Sequence, residues 1–356
     1  MYSFIVRDSL FLSCFFVFGL FIPGLSQSNS NTDTDKQQFL VMFYNTENLF
    51  DTYNDSLTGD DDFTPAGSLH WTYKRYSLKL NNLYKTIVAV GGWTPPDMIG
   101  LCEVENRAVL LDLVNNTPLS KFPYRIVHAD SPDKRGIDVA LLYNSATVQL
   151  IQSNYFNIGK PGLFTRDILY CKAIVKGKVC HFFFNHWPSR STGQLETEPN
   201  RIAAATRLRL ITDSLFSAET PARIIILGDL NDEPGDKSLT DHLRASVQLS
   251  DPQPAALYNL TRAPVKGMYK GSLKYQGTWN IFDQVIVSGS LLLDAGDLQI
   301  ISEGYRIFGE SFLLEPDEQY TGYKPFRTYN GFRYQGGFSD HLPVYVRLFI
   351  SVPSEQ

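Results

Sequence analysis

Short runs of apolar residues recur along the chain from about residue 39 onward, and polar stretches separate them. Several runs are apolar at every position, which is typical of strands buried on both faces of a sheet. The predicted strands are Phe39–Tyr44, Met98–Cys102, Tyr124–His128, Val139–Tyr143, Leu169–Val175, Val179–Asn185, Arg223–Leu227, Phe282–Val287 and Pro343–Ile350.

Three stretches between these runs have the spacing of helices. Lys74–Val90 repeats apolar residues every three or four positions, a second helix follows Glu105, and a third runs from about Asn200 to Phe216. Because helical and hairpin connections alternate irregularly, mixed sheets are expected rather than a strictly parallel barrel. We predict an α/β fold, a four-layer sandwich of two mixed β-sheets packed face to face and flanked by helices, as one domain over residues 39–351.

The N-terminus has the pattern of a secretory signal peptide. Arg7 precedes an apolar run from Leu10 to Ile22, which is short for a membrane span, and small residues follow up to Ser26. We predict a signal peptide over residues 1–26, export to the periplasm or the extracellular space, and no stable membrane insertion after cleavage. An uncleaved anchor or a lipoprotein signal at Cys14 are the alternatives. Residues 27–38 are polar without periodicity and are expected to be a flexible leader.

Composition narrows the function classes. The 356 residues are 43% hydrophobic and 19% charged, with a formal net charge of −5, so the basic footprint of a non-catalytic DNA-binding protein is absent. A monomer is expected. Export permits disulfides, and Cys171 and Cys180 flank the turn "VKGK". A bridge between them and two buried free thiols both stay open.

Polar side chains follow the ends of several predicted strands. "FLVMFYNTENLFD" carries Asn45 and Glu47, "GLCEVEN" carries Glu103, "FFFNHWPS" carries Asn185 and His186, "ILGDLNDEP" carries Asp229 and Asn231, "FDQVIVS" begins with Asp283 after its Phe, and "GGFSDHLPVYV" carries Asp340 and His341. Each alone is an ordinary turn residue. Together they form a set of oxygen and imidazole ligands that suits Mg²⁺ or Mn²⁺ and hydrolysis by water. No P-loop and no GxSxG motif are present.

The order of these motifs resembles the endonuclease/exonuclease/phosphatase superfamily, with "GDLN" and "SDHLPV" as the most specific parts and "NTENLFD" in support. The resemblance spans roughly Phe39 to Ile350. It implies a divalent-metal-dependent phosphoesterase that cleaves phosphodiester bonds, most readily a nuclease with nucleic acid as its substrate. A phosphomonoesterase or a phospholipid phosphodiesterase of the same fold is the alternative. A binding module that has lost catalysis is the alternative of another class, although Glu103, Asp229 and His341 all stand in this chain.

The resemblance also implies a role for each residue. Asn45, Glu47, Glu103 and Asp340 are expected at the metal. Asp229 would orient or deprotonate the attacking water and Asn231 would hold that water or a phosphate oxygen. His341, paired with Asp283, would act as general base or as a donor to the phosphate. His186 would contact the phosphate from the other side, with Asp138 as a candidate partner.

Substrate contacts are expected from Arg166, Asn185 and Tyr329. Arg166 is the strongest of five arginines in or near loops, the others being Arg135, Arg190, Arg201 and Arg327. Tyr329 could stack on a base or sugar, with core packing as the alternative. Two long stretches, Asp51–Trp71 and Glu303–Phe338, resist assignment. The triplet Asp60, Asp61 and Asp62 lies in the first, where a solvated loop is expected and a structural Ca²⁺ site is the alternative.

Overall fold

The computed structural model describes residues 37–92, 94–261, 268–293, 298–300 and 304–350. The predicted signal peptide and nearly all of the predicted leader lie outside these residues. Within the described ranges, no helix is both long and apolar enough to span a bilayer.

The regular elements are numbered in chain order. The helices are α1 (Tyr73–Gly91), α2 (Arg107–Asn115) and α3 (Gln194–Ala218). The strands are β1 (Gln37–Leu49), β2 (Met98–Val104), β3 (Tyr124–Val127), β4 (Asp138–Asn144), β5 (Val148–Phe156), β6 (Ile168–Val175), β7 (Lys178–His186), β8 (Ile224–Asp229), β9 (Ala245–Ser246), β10 (Leu257–Asn259), β11 (Leu273–Tyr275), β12 (Thr278–Asn280), β13 (Asp283–Ser288), β14 (Tyr305–Ile307), β15 (Leu314–Pro316), β16 (Tyr323–Pro325), β17 (Tyr329–Asn330), β18 (Arg333–Tyr334) and β19 (Val344–Ile350).

Two large mixed sheets form the body of the fold. The six-stranded sheet has the order β14-β19-β1-β2-β4-β3, and the seven-stranded sheet has the order β5-β6-β7-β8-β13-β10-β9. In the first, β1 runs parallel to β2 and antiparallel to β19. In the second, β8 runs parallel to β7 and antiparallel to β13. The predicted α/β fold class with two mixed sheets is confirmed.

The alternation of side chains along each strand explains the layers. In β1, Phe39, Val41 and Phe43 pack into a core shared by both sheets, where the Phe39 and Phe182 ring centroids lie 6.3 Å apart. The alternate residues, including Met42, pack against α1 and α2. On the other sheet, Phe183 and its neighbours pack against α3. Because successive strand residues point to opposite faces, strands that are apolar throughout require cover on both sides.

All nine predicted strands are present, and the differences have local causes. The exposed edge strand β5 was not predicted, because it has few buried apolar positions. The predicted third helix started just after Pro199. Helix α3 begins six residues earlier, and Pro199 is accommodated inside it near its N-terminus. Strand β1 begins at Gln37, inside the predicted leader, and Gln38 pairs with Phe349.

One glycine lies where the two sheets pack tightly against each other. A Cβ atom placed on Gly100 in β2 would lie 2.2 Å from Cδ1 of Phe184 in β7. We expect Gly100→Ala to lower the free energy of unfolding by about 1–3 kcal/mol, because the overpacked ring has to move within the shared core. Urea unfolding followed by circular dichroism measures the change. Gly235→Ala is the control, since a Cβ there meets no atom within 4 Å, and equal midpoints for the two variants would contradict the prediction.

Candidate active site

Strand register brings the candidate residues to one edge of the sandwich. His186 at the end of β7 pairs with Asp229 at the end of the parallel strand β8. Asp283 begins the antiparallel strand β13 and lies opposite the same Asp229. On the other sheet, Asn45 of β1 pairs with Cys102, the neighbour of Glu103 in β2. The carboxyl ends of parallel strands therefore meet the start of an antiparallel one, which is where α/β proteins place their ligands.

A hydrogen bond joins the two sheets at this edge. The Nδ2 of Asn45 donates to Oδ2 of Asp229 at 3.0 Å, and both side chains are buried. The Oδ1 of Asn45 accepts from the backbone N–H of Glu47 at 2.9 Å, so both ends of the amide are held. Asn45 thereby positions Asp229 from across the interface between the sheets.

His341 and Asp283 form a buried pair. Nδ1 of His341 lies 2.7 Å from Oδ2 of Asp283, which turns Nε2 toward Asp229, whose Oδ2 is 3.8 Å away. Burial disfavours the imidazolium, but the carboxylates of Asp283 and Asp229 outweigh it and raise the pKa of His341 well above its ordinary value. These carboxylates therefore favour the protonated imidazole, and Nε2 faces Asp229.

Asp229 lies at the centre of the cleft. Burial raises its pKa to about 7, although the nearby charge of His341 works in the opposite direction. Its Oδ1 accepts from the backbone N–H of Asn231 at 3.1 Å, and the Asn231 amide donates to the Trp187 carbonyl at 3.0 Å. A carboxyl group with a pKa near neutrality can take a proton at the pH at which it must act.

His186 also lies beside Asp229. Its Nε2 is 3.7 Å from Oδ2 of Asp229 and 4.0 Å from Oε1 of Glu103, and its Nδ1 is buried without a hydrogen-bond partner. Burial lowers the pKa of His186 well below its ordinary value, and the charges of Arg166 and Arg135 add to this effect. The pKa values of the two histidines are thus shifted in opposite directions, because only His341 has a carboxylate at hydrogen-bonding distance.

Asp138 is not the partner of His186. Its Oδ2 lies 3.0 Å from Nε2 of His128, and its Oδ1 accepts from the backbone N–H of Ser131 at 2.7 Å. The sequence placed Asp138 correctly at the start of a strand, but both of its oxygens serve the loop that precedes β4. The candidate pairing is corrected accordingly.

The donors near Glu103 fit a hard divalent cation. Oε2 of Glu103 accepts from the backbone N–H of Asn48 at 3.0 Å, and the side chain is 15% exposed. The Asp340 side chain is 24% exposed. With the Asn45 amide these residues supply oxygen ligands, which Mg²⁺ and Mn²⁺ prefer. Among the described residues, two groups of three His, Asp or Glu side chains have ligand atoms within 4.8 Å of one another. They are Asp229, Asp283 and His341, and His128, Asp130 and Asp138.

Backbone strain is concentrated at this edge. Glu47, Asn48, Glu103 and Asn231 all have positive φ values, between 51° and 58°, although none is a glycine. Such conformations are costly for residues with a Cβ, and they persist where the surrounding structure holds them, often at functional sites. Three of these residues coincide with irregularities in strand register, between Asn45 and Leu49 in β1 and between Cys102 and Val104 in β2.

Glu47 has a different role from the predicted metal ligand. Oε2 accepts from the backbone N–H of Thr328 at 2.6 Å, and Oε1 accepts from that of Tyr329 at 3.3 Å and from Nε of Arg327 at 3.3 Å. Its side chain is 6% exposed. Because both oxygens are engaged, Glu47 anchors the segment that leads to His341, and we do not place it among the metal ligands.

Replacing Glu47 by Gln should destabilise this segment. One oxygen becomes an NH₂ group that faces backbone N–H donors, so we expect a loss of about 1–3 kcal/mol in the free energy of unfolding. Chemical denaturation measures it. Glu315→Gln is the control. Glu315 forms a partly exposed ion pair with Lys324 at 3.5 Å, and such a pair is expected to contribute less than about 1 kcal/mol to the free energy of unfolding. A Glu47→Gln variant as stable as this control would refute the anchoring role.

Two basic residues lie next to the carboxylates. Arg327 was predicted from the sequence as a possible contact to the phosphate. Its Nη2 lies 3.0 Å from Oδ2 of Asp340, so the guanidinium is already paired with a carboxylate. Lys79 of α1 was not predicted. It is 2% exposed, and its Nζ donates to Oγ1 of Thr328 at 2.5 Å and to the Phe338 carbonyl at 2.6 Å. In the sequence, only the position of Lys79 within the amphipathic pattern of helix α1 could have indicated that this lysine is buried.

Three predicted substrate contacts are held inside the protein. Asn185 is fully buried, donating to the Leu227 carbonyl and accepting from Nε1 of Trp187. Arg166 is 5% exposed, pairs with Asp133 at 2.9 Å and donates to the Trp187 carbonyl at 2.6 Å.

The third, Tyr329, is 7% exposed. Its hydroxyl donates to the Leu69 carbonyl, and its ring packs against Trp71 and Tyr334. The structure therefore assigns Asn185 and Tyr329 to packing and positioning. Arg166 influences the site through its charge on His186.

The loop carboxylates and the cysteines have simpler roles. Asp60, Asp61 and Asp62 accept separate hydrogen bonds, from the Asp55 backbone, Asn54 and Ser68. Among the described residues they do not form a group of three converging ligand atoms, so the structure gives the Ca²⁺ alternative no support. Cys102, Cys171 and Cys180 are buried free thiols. Cys171 faces Phe182 across the ladder and Cys180 faces Ala173.

Together, two face-to-face mixed sheets and a cleft with an Asp–His pair, a buried aspartate and a glutamate define a class of α/β phosphoester hydrolases. A sequence model described as the Endonuclease/Exonuclease/phosphatase family matches residues 40–349. The chain belongs to the endonuclease/exonuclease/phosphatase family, whose members are phosphodiesterases and phosphatases.

Solved structures share the fold at low identity. An endonuclease/exonuclease/phosphatase family protein from Bacteroides thetaiotaomicron has a TM-score of 0.55 at 16% identity, with 88% of this chain and 96% of that chain covered. A mannosyl-6-phosphatase from the same organism has a TM-score of 0.53 at 17% identity, covering 87% and 99%. Humanized D. rerio TDP2 has a TM-score of 0.52 at 13% identity, covering 87% and 98%. No curated protein matches the sequence.

Proposed function

We propose that the protein is a divalent-metal-dependent phosphoesterase that hydrolyses a phosphate ester with water. The observation that carries this proposal is the buried His341–Asp283 pair, whose free Nε2 faces Asp229. A cation donor and a carboxyl group of near-neutral pKa in one cleft can supply and accept the protons that hydrolysis requires.

Each residue has a distinct task in this mechanism. Asp229, held by Asn45 and Asn231, orients the attacking water and accepts its proton. His341 donates from Nε2 to an oxygen of the phosphoryl group, while Asp283 maintains its charge and orientation. Neutral His186 contacts the phosphate from the opposite side.

Glu103, Asn45 and Asp340 would hold the Mg²⁺ or Mn²⁺ ion. When bound, the ion supplies positive charge that offsets the repulsion between an anionic phosphate and its nucleophile. Oδ2 of Asp340 is paired with Arg327, and both side chains are partly exposed, so Asp340 would reach an ion without any opening of the core.

Nuclease activity is the first substrate proposal. It is supported by the family and by a structural neighbour, D. rerio TDP2, described in complex with a single-strand DNA product at 13% identity and a TM-score of 0.51. Phosphomonoesterase activity is the second, because the arginines at the cleft are already paired. Arg190 contacts Asp232 and Asp236, and Arg327 contacts Asp340 and Glu47.

A substrate panel tests the proposal. Purified protein is incubated with plasmid DNA, RNA, bis-p-nitrophenyl phosphate and phosphate monoesters, with Mg²⁺ or Mn²⁺ and with EDTA. We expect hydrolysis of at least one class that EDTA abolishes and Mg²⁺ restores. Cleavage that persists in EDTA, or no cleavage of any ester with metal, would rule the proposal out.

We also propose export, supported by the signal-like pattern of residues 1–26. Expression of the full chain in a secreting host, followed by N-terminal sequencing of the exported form, should find Gln27 as the first residue. Recovery of the protein only in the cytoplasm with an intact N-terminus would contradict this.

A further inference from the structure

A polar pocket of about 320 Å³ opens beside the catalytic residues. Its walls are the β11–β12 hairpin, the β15–β16 hairpin, and Arg327 with Asp340. Since Asp340, one of the expected metal ligands, lines this pocket, a molecule in it would lie next to the phosphate that the catalytic residues would hold. The volume suits a single ring rather than a polymer.

Hydrogen bonds connect the wall of the pocket to the His341–Asp283 pair and its neighbour Leu342. Leu273 of β11 forms a β-bridge with His341. Its neighbour Ser272 accepts at Oγ from the backbone N–H of Asp283 at 3.1 Å and at its carbonyl from that of Leu342 at 2.7 Å. The hairpin is therefore fixed relative to both Asp283 and His341, which makes it suited to orient the rest of a substrate.

The cations of this pocket are compensated. Nζ of Lys274 lies 2.8 Å from Asp317, and both side chains are at most 4% exposed. Lys324 pairs with Glu315 at 3.5 Å, and Arg327 pairs with Asp340. A nucleic-acid strand brings further phosphates, and proteins that follow one present unpaired Lys and Arg along its path. This pocket therefore favours a neutral ligand.

Aromatic faces and amides complete the lining. Tyr275 is 65% exposed and Tyr320 is 38% exposed. The side-chain amides of Gln276 and Gln319 lie beside these two hydroxyls, at 3.3 Å and 3.4 Å. A flat apolar face with amide and hydroxyl groups at its edge matches a sugar ring, which has C–H groups on its faces and hydroxyls around its rim.

We infer that this pocket binds a neutral, hydroxyl-bearing sugar ring whose phosphate monoester occupies the catalytic cleft. The inference rests on the proposed function and, of its two substrate proposals, specifies the substrate of the second, the phosphomonoesterase. In the reaction, the oxygen of water bonds to phosphorus and the bond from phosphorus to the sugar oxygen breaks. One proton of water passes to the sugar oxygen and the other stays on the phosphate, so a free sugar and inorganic phosphate result.

Kinetics of Tyr320→Ala test the inference. The substrates are glucose 6-phosphate and mannose 6-phosphate, with methyl phosphate as a monoester that has no ring and a single-stranded DNA oligonucleotide as a diester. We expect KM for the sugar phosphates to rise roughly threefold to tenfold, with kcat nearly unchanged, because a stacking contact is lost. KM for methyl phosphate should not change, and Tyr320→Phe should retain the wild-type values.

Tyr323→Ala is the matched control. Tyr323 belongs to the same hairpin and is 39% exposed, almost as much as Tyr320, but it does not line the pocket. Thermal melts verify that both variants fold. Three outcomes would overturn the inference. They are equal effects of the two substitutions, equal kcat/KM for methyl phosphate and the sugar phosphates, and a preference for internal diesters of DNA.

If no ester is hydrolysed with metal present, the proposed function fails. Whether the pocket binds a sugar ring is then tested by a binding measurement. Calorimetry with a non-hydrolysable sugar phosphonate then compares the same variants. Binding that Tyr320→Ala weakens and Tyr323→Ala does not supports the sugar pocket, and equal or absent binding overturns it.

Discussion

Replacing His341 by Ala is expected to reduce kcat/KM by roughly 10²- to 10⁴-fold, the range found for a positioned proton-transfer group. The imidazole is buried, lies 2.7 Å from Asp283 and directs Nε2 at Asp229. No other described histidine at the cleft can replace it, since burial lowers the pKa of His186 well below its ordinary value. Steady-state kinetics on the best substrate of the panel measure the loss.

A second variant separates catalysis from folding. Asp283→Asn keeps the size of the side chain but removes the charge that sustains the imidazolium, so an intermediate loss of kcat is expected, with a melting temperature close to that of the wild type. His341→Ala protein that is folded and retains more than about a tenth of wild-type kcat/KM would refute a catalytic role.

Replacing Glu103 by Gln is expected to weaken Mg²⁺ or Mn²⁺ binding by roughly 10- to 100-fold, because a charged ligand becomes a neutral one of the same shape. Glu103 is the carboxylate whose backbone is held at a φ of 58° and whose side chain reaches the cleft. Isothermal titration measures affinity directly. The rise in melting temperature on adding metal should shrink in parallel, since only the folded state binds.

Glu105→Gln provides the control for this experiment. Glu105 lies two residues further on and accepts from the backbone N–H of Asp51 at 2.6 Å. Burial raises the pKa of Glu105 to about 8, so the substitution removes less charge at pH 7 than it would at an exposed glutamate. Metal affinity should remain at the wild-type value. Equal weakening by both substitutions would show that Glu103 is not a specific ligand.

The central strands were predictable because both of their faces are covered. Runs such as Phe39–Tyr44 and Arg223–Leu227 have apolar residues at nearly every position, a pattern that only a buried strand or a buried helix satisfies. Edge strands lack this signal. In β5, Ile151 is 50% exposed, and no sequence pattern of burial marks the strand. The hairpins around residues 273–280 and 314–325 are too short for a periodic signal.

The order of the motifs along the chain predicted which residues reach the cleft, but not where each side chain points. Asn45, Glu103, Asp229 and His341, which were predicted to converge with Asp340, lie in one cleft together with Asp283. Asp340 pairs with Arg327. Glu47, Asn185 and Tyr329 come to the same region but point into hydrogen bonds or packing. Their motifs specify position in the chain, whereas the direction of each side chain depends on backbone angles, such as the φ of 51° at Glu47.

The sequence by itself determined the layers of the sandwich, the family, and the residue types that the cleft contains, because burial and strand alternation are local properties of the chain. The pairing of Asp283 with His341 was expected from the resemblance, and the structure places their side-chain atoms 2.7 Å apart. Only the tertiary structure decided that Asp340 pairs with Arg327 and Asp138 with His128, residues 13 and 10 positions apart. Their partners are chosen by strand register and by strained turns, which depend on the packing of the whole domain rather than on any one segment.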